Sequence, residues 1–303
     1  MRSWPWSRSE RRRPLGPGAG QVGAGGLRVQ DGHHVEIDQI YNFAAAQPVE
    51  AALLAEYIES LTQLPFTRSQ LLCVLDGEEL VGLCLLGGNL VPLGLPPETF
   101  GPIAQMIRRR GQRCSSVVGS ADQVLGLWPL LRPYLGPARE VRADQPSLVI
   151  DHDPVVAPDP LVRAATREDL DILVPACVAM FTEEVGYSPL NGGGGYERRI
   201  RNLVDQGRSL VRIDENGHGR EVVFKAELGT VGLGVAQVQG VWVHPRHRGK
   251  GWSAAGMAAV VRHARAHQAP AVSLYVNSYN TPALATYRRV GFRQVGTFAT
   301  VLL

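Results

Sequence analysis

The stretch that most constrains this sequence is Val241-Trp-Val-His-Pro-Arg-His-Arg-Gly-Lys-Gly-Trp-Ser-Ala254, in which an apolar strand-like run passes through a short basic turn straight into a helix. A helix that begins in such a turn exposes unpaired backbone N–H groups and the positive end of its dipole, and glycines let an anion come close to the backbone. The stretch therefore predicts a phosphate-binding turn between a strand and a helix, one that needs no metal. Its glycines fit neither G-x-x-x-x-G-K-[ST] nor G-x-G-x-x-G, which sets aside nucleoside triphosphate and dinucleotide sites.

The rest of the chain has to be organised around that turn. At 303 residues it is too long for one ordinary core and suits two domains of roughly 140 residues each. Pro154, Pro158 and Pro160, among acidic and small residues, mark residues 151–160 as a linker. Before it, residues 41–150 predict an α+β domain. Its elements are a helix over Pro48 to Leu61, a hairpin of Leu71 to Leu75 and Leu80 to Leu86 about Asp76-Gly77, and a third strand from Asn89 to Leu95. A helix to Arg110, a strand over Ser115 to Val118, a helix over Leu125 to Leu131 and strands near Val141 and Leu148 follow.

After the linker, residues 161–303 open with a strand to Ala164. A helix follows, with Thr166 and Asp169 as a capping box and Pro175 as a kink. Asn191 to Gly195 is a loop, and Tyr196 to Gln206 a short helix. Strands over Ser209 to Ile213, Val222 to Glu227 and Val235 to Val243 lead to a helix over Gly251 to His267. A strand over Ala271 to Val276, a helix over Pro282 to Val290 and a strand over Val295 to Leu302 complete the domain. The two halves share one order of elements, which predicts a duplicated α+β unit.

Composition narrows the classes of function. With 45% hydrophobic and 19% charged residues and no long uninterrupted apolar run, nothing approaches the ~20 residues of a membrane helix, so no membrane partner is expected. The net charge is only +3, and Arg2, Arg8, Arg11, Arg12 and Arg13 face Glu10 in a Pro- and Gly-rich stretch. Residues 1–40 read as a tail without fixed structure, not as a nucleic-acid arm, and the tail lacks the apolar core of a secretory signal. A cytoplasmic protein is expected. Cys73, Cys84, Cys114 and Cys177 sit in apolar runs without CxxC spacing, and no histidine pairs with another ligand at helical i, i+4 spacing beside a carboxylate, so no metal is expected.

Two motifs then carry a resemblance. Arg248-Gly249-Lys250-Gly251-Trp252-Ser253 fits the [QR]-x-x-G-x-[GA] loop of the GNAT superfamily, with Ser253 where Gly or Ala is usual; Arg246 to Gly251 also satisfies the pattern, but the first register suits the family's strand-to-loop spacing after Val243. Asn280-Thr-Pro-Ala283-Leu-Ala-Thr-Tyr287-Arg-Arg-Val-Gly291-Phe292 fits that family's N-x-x-A-x-x-x-Y-x-x-x-G-F signature one helix and one strand later. The C-terminal domain thus resembles a GNAT N-acetyltransferase, a mixed central sheet flanked by helices. The segments Gly87 to Pro92, Arg113 to Gly119, Gly136 to Val141 and Val295 to Leu302 further resemble two-domain actinobacterial acetyltransferases whose N-terminal part is a domain of unknown function.

The resemblance implies acetyl-CoA as acyl donor. Val241, Trp242 and Val243 would run along its pantetheine, Arg248 to Ala254 would hold its pyrophosphate, and Asn280 would touch it. Tyr287 would protonate the departing thiolate. Acyl transfer also needs a base for the amine, for which Glu227, on the strand before, and Glu184, near the end of the first helix, are the nominees. The acceptor is an unidentified primary amine, small or peptide. The alternative is a non-catalytic acyl-CoA sensor, which dispenses with Tyr287. The N-terminal domain is expected to be a degenerate, cofactor-free copy that shapes the acceptor cleft or a homodimer, because Leu93 to Thr99 lacks the loop motif, Pro96 and Pro97 delete donors and Glu98 adds negative charge.

Overall fold

The structure is a computed structural model that describes residues 21–22, 26–192, 194–217 and 219–303. They fall into two compact units. One holds the described residues up to Ser147 with Tyr275–Tyr279 and Val295–Leu303; the other holds Leu148–Leu274 and Asn280–Gln294.

In the first unit, strands β1 (Gln21–Val22), β2 (Arg28–Asp31), β3 (Leu71–Asp76), β4 (Glu79–Leu86) and β5 (Asn89–Leu93) pair antiparallel in sequence order. β6 (Ser116–Ser120) then lies parallel to β5. The apolar run of β3 is buried from Leu71 to Leu75, as a strand covered on both faces requires. Helices α1 (Ile37–Ala45) and α2 (Ala55–Ser60) precede β3, while α3 (Phe100–Arg109) and α4 (Ala121–Leu135) flank β6. Ile103 and Ile107 of α3, four residues apart on one helix face, and Val124, Leu127 and Leu131 of α4 enter one core with the strands.

Three expectations for this half change. Val29 and Ile40 have no exposed surface, so residues 28–40 belong to the folded unit and not to a tail. Val29 is held there because β2 pairs it with Val74. The arginine run lies outside the described residues. The helix expected over Pro48 to Leu61 is α-helical only from Ala55 to Ser60, and the strands expected near Val141 and Leu148 are one strand, β7 (Glu140–Ile150).

The strand that completes the first unit's sheet comes from the far end of the chain. β13 (Arg293–Leu302) lies antiparallel to β6, with Ala299 opposite Gly119 and Val301 opposite Val117, and both apolar side chains enter the first unit's core.

The second unit repeats the series. β8 (Arg163–Ala164), β9 (Ser209–Asn216), β10 (Gly219–Gly232) and β11 (Val235–Val243) pair antiparallel, and β12 (Ala271–Tyr275) lies parallel to β11. Helices α5 (Leu170–Val185) and α6 (Gly195–Asp205) stand between β8 and β9, while α7 (Trp252–His267) and α8 (Thr281–Val290) stand on either side of β12 in sequence. The capping box forms, with the Thr166 N–H donating to Asp169 at 2.8 Å. Pro175 lies inside α5, which is continuous from Leu170 to Val185. Leu173 and Cys177 of α5 pack with Ile200 and Val204 of α6 and Val211 of β9. Among the described residues no helix is long and apolar enough to cross a membrane.

Candidate active site

The site is built on a fork. β11 and β12 share only three register pairs, from Val235↔Ala271 to Gln237↔Ser273. Beyond them β11 runs on to Val243, so its backbone groups on that side are left for something other than β12. At the fork, the Ser273 hydroxyl is buried and meets no hydrogen-bond partner among the described residues.

On its other side β11 carries a bulge. Lys225 faces Trp242 and Glu227 faces Gln239, so Gly240 and Val241 together stand opposite Ala226. Gly240 has φ +57°, and a Cβ there would lie 3.1 Å from Met180 Sδ and 3.3 Å from both Glu227 Cδ and Lys225 Nζ; only glycine meets both demands easily. The extra residue changes which side chains face the helices. Gln239 meets Arg199 of α6 and Trp242 packs on Ala176 of α5, although they are three residues apart; in an unbulged strand Val241 would take that face.

The turn after β11 ends in Gly251, which caps α7 with φ +78°. Among the described residues, no atom beyond the chain neighbours lies within 4 Å of where a Cβ on Gly249 or Gly251 would stand, so the turn is open above its glycines. No acidic residue stands in the first turn of α7, and the N–H groups there keep the positive character that an anion seeks. Arg248 reaches back, donating from Nε to Val243 O at 3.0 Å and from Nη2 to Glu183 at 2.6 Å. Ser253, at the family's small-residue position, hydrogen-bonds Thr286 of α8 at 3.2 Å. Ala254 is buried behind the turn. Asn280 is exposed and caps α8, its side chain accepting from the Ala283 N–H at 3.3 Å.

Tyr287 lies on α8 with 6% of its surface exposed, its ring edge-on to Phe292 at 5.9 Å. Burial, with help from the charge of Glu184, raises its pKa above the ordinary tyrosine value, so the hydroxyl keeps its proton. Glu227 is 2% exposed, with Lys225 Nζ at 2.5 Å and Arg199 Nη1 at 2.7 Å. Burial alone would raise its pKa; Lys225 and then Arg199 more than reverse that and hold it down to about 2. A carboxylate so held is a weak proton acceptor at neutral pH, a physical objection to a base role. Lys225 itself has no exposed surface.

One cluster carries no signal in the sequence. Glu221 of β10 receives His244 Nε2 at 3.5 Å, His247 Nε2 at 3.3 Å and Arg246 at 2.8 Å. Three such ligand-type groups within 4.8 Å of one another have the make-up of a metal site. Their second nitrogens argue otherwise. His244 Nδ1 accepts from the Arg246 N–H at 3.3 Å and His247 Nδ1 faces Lys250 Nζ at 3.5 Å, so each neutral ring carries its proton on Nε2, pointing at the carboxylate. The cluster braces the turn. His247 also stacks on Trp252 at 4.8 Å, and Arg212 covers that ring at 4.0 Å. No spacing signals the cluster, because Glu221 comes from a different strand.

Comparison with known proteins adds related sequences and folds. Residues 196–292 match the model of the acetyltransferase (GNAT) family, and residues 69–173 match a domain of unknown function, DUF4081. No curated protein matches. Among solved structures, a GNAT-family acetyltransferase from Colwellia psychrerythraea is 12% identical at a TM-score of 0.52, over 91% of this chain and 99% of that one. A GCN5-related N-acetyltransferase from Sphaerobacter thermophilus is 16% identical at 0.52, over 91% and 95%. A Drosophila protein from a structural genomics programme is 13% identical at 0.61, over 91% and 98%. At such identities the likeness is one of fold, and with the family model it places a GNAT acetyltransferase domain in the C-terminal part of this chain, behind a domain of unknown function.

Proposed function

We propose that the second unit transfers the acetyl group of acetyl-CoA directly to a primary amine. The observation that carries this reading is the fork between β11 and β12, which leaves a free strand edge running into the open glycine turn at the start of α7. The edge from Val241 to Val243 lines the pantetheine, the turn from Arg248 to Ala254 receives the pyrophosphate, and Asn280 borders it. The amine nitrogen attacks the thioester carbon, the C–S bond breaks, the Tyr287 hydroxyl gives its proton to the sulfur, and the nitrogen releases its surplus proton to solvent, from which Tyr287 is reprotonated. A backbone N–H of β11 polarises the carbonyl.

Two features support direct transfer with the base placed outside Glu227. Burial raises the thiols of Cys73 and Cys114 to about 12 and that of Cys177 to about 11, and raises that of Cys84 as well, so none is an activated nucleophile. Glu184 is exposed, and its charge reaches the hydroxyls of both Tyr196 and Tyr287. We assign it the proton of the incoming ammonium. Thiol release from acetyl-CoA across a panel of small amines and peptides tests the reading: release that depends on one class of amine is the expected result. Tight CoA binding with no release for any amine would favour the sensor.

A further inference from the structure

The buried charges beneath the bulge have no part in the proposed reaction, yet they form one connected cluster. Glu227 takes Lys225 on one oxygen and Arg199 on the other, and the Cys177 thiol donates to it at 3.5 Å. Lys225 Nζ also touches Met180 Sδ at 3.5 Å. The chain of contacts continues from Arg199 to Gln239 Oε1 at 3.5 Å and from Gln239 Nε2 to Gln237 Oε1 at 3.2 Å. It therefore runs from the bulge at Gly240 back to Gln237, the residue at which β11 and β12 part.

A buried lysine–glutamate pair is a poor way to gain stability, since apolar side chains of the same size often do as well or better; what such a pair provides is one fixed arrangement. Here the arrangement it fixes is that of β11. The Gly240 backbone passes directly over Glu227 and Lys225, and a second bulge places Gly229 of β10 beside Gln239, where a Cβ would lie 2.4 Å from that side chain. The strand edge assigned to acyl-CoA is shaped from below by these groups.

We propose that Lys225, Glu227 and Arg199 are positioning residues that set the bulge at Gly240 and Val241, and through it the direction of the β11 backbone groups that hold and polarise the acyl donor. The inference rests on the acyl-transfer reading. It replaces a base role for Glu227 and makes a different demand on mutagenesis, because charge balance, not the carboxylate as such, is what the site requires. Glu227→Gln leaves Lys225 and Arg199 facing each other without an anion. Lys225→Met with Glu227→Gln removes one charge of each sign and keeps an amide oxygen for Arg199.

The test uses the full chain, with circular dichroism and melting to confirm folding, and reads kcat, both KM values and the pH profile. Positioning predicts that Glu227→Gln lowers kcat/KM for acetyl-CoA at least tenfold, leaves KM for the amine and the shape of the pH profile unchanged, and is largely rescued by adding Lys225→Met. A general base predicts a loss of roughly 10²- to 10⁴-fold in kcat, activity that climbs with pH, and no rescue; that result overturns the proposal, as does a Glu227→Gln enzyme within twofold of wild type. Should the single variant fail to fold, the double variant decides alone: activity within tenfold of wild type supports positioning, and a larger loss overturns it. Should wild type transfer to no amine, the transfer reading fails first, and the affinity for CoA of the same variants then reports on the bulge, with the same loss and rescue expected.

Discussion

In the first unit β5 runs through Leu93, Gly94, Leu95 and Pro96 into α3, and in the second β11 runs through His244 to Gly251 into α7. Each strand has a short parallel ladder with the next, yet the free backbone is treated in opposite ways. The Leu95 N–H donates to Gln123 Oε1 at 2.8 Å and the Leu95 carbonyl accepts from Gln123 Nε2 at 3.1 Å. A side chain of the first unit's own α4 thus takes the groups that β6 leaves. Pro96 and Pro97 bring no N–H, Glu98 stands in the turn, and the place of a Cβ on Gly94 is filled by Phe43 at 2.7 Å. Among the described residues of the second unit, β12 leaves the far part of the β11 edge unpaired, the turn glycines stand open and the first turn of α7 carries no acid. The fold supplies the strand-to-helix turn in both units, and in our proposal only leftover backbone donors make it an anion seat.

The sharpest way to break this contrast is at Tyr287, since the second unit is the one to which we assign chemistry. General acid catalysis contributes roughly 10² to 10⁴ in rate, so Tyr287→Phe is expected to lower kcat by that order in steady-state thiol release. CoA affinity stays near wild type, because the ring still packs against Phe292. A kcat within threefold of wild type would take the acid role from Tyr287 and hand thiolate protonation to water.

Next in size is the glycine turn. Gly251 stands at φ +78°, where a side chain costs on the order of 1–2 kcal/mol for conformation alone, and a branched one also covers the N–H groups. Gly251→Val is expected to weaken CoA at least tenfold by calorimetry. The matched change Gly94→Val in the first unit is expected to lower the melting temperature, through Phe43, and to leave CoA affinity unchanged. A loss of CoA binding in both would erase the distinction between the two turns.

A smaller effect follows from Glu227. Its pKa falls from an ordinary 4.5 to about 2 in the folded chain, so its contribution to stability is complete above about 4.5 and is lost as pH falls through 2. Melting curves between pH 6 and 2 should therefore show wild type losing more stability on acidification than the Lys225→Met/Glu227→Gln variant. Parallel losses would mean that the carboxylate is not held down by its neighbours.

What sequence conveys here is local. The apolar run of β3, the capping box at Thr166 and Asp169 and the glycine turn before α7 each declare themselves within a few residues, and each forms. The things that were not legible depend on partners far apart in the chain. β13 reads as a strand, but nothing in Val295 to Leu302 says that it completes the first unit. Glu227 reads as a carboxylate next to a catalytic strand; that Arg199 lies 28 residues away in sequence and at 2.7 Å in space is a property of the packing of α6. The His244, His247 and Glu221 cluster and the clasp of Gln123 on Leu95 were invisible for the same reason.

The gentlest probe of the contrast is Gln123, which is 9% exposed and satisfies both backbone groups of Leu95. Gln123→Met keeps the volume and removes both bonds. Leaving a buried donor or acceptor unmet costs about 1–3 kcal/mol, so the variant should melt at lower temperature with its activity unchanged. The informative quantity is stoichiometry. If the first unit is closed only because Gln123 occupies its strand edge, freeing that edge should raise the CoA count per chain towards two. Pro96, Pro97 and Glu98 remain in place, however, and they deny the pyrophosphate its donors whatever the strand edge offers. One CoA per chain, in wild type and in Gln123→Met alike, is therefore the expected titration. A second equivalent in the variant would show that a single side chain, and not the turn, keeps the two units different.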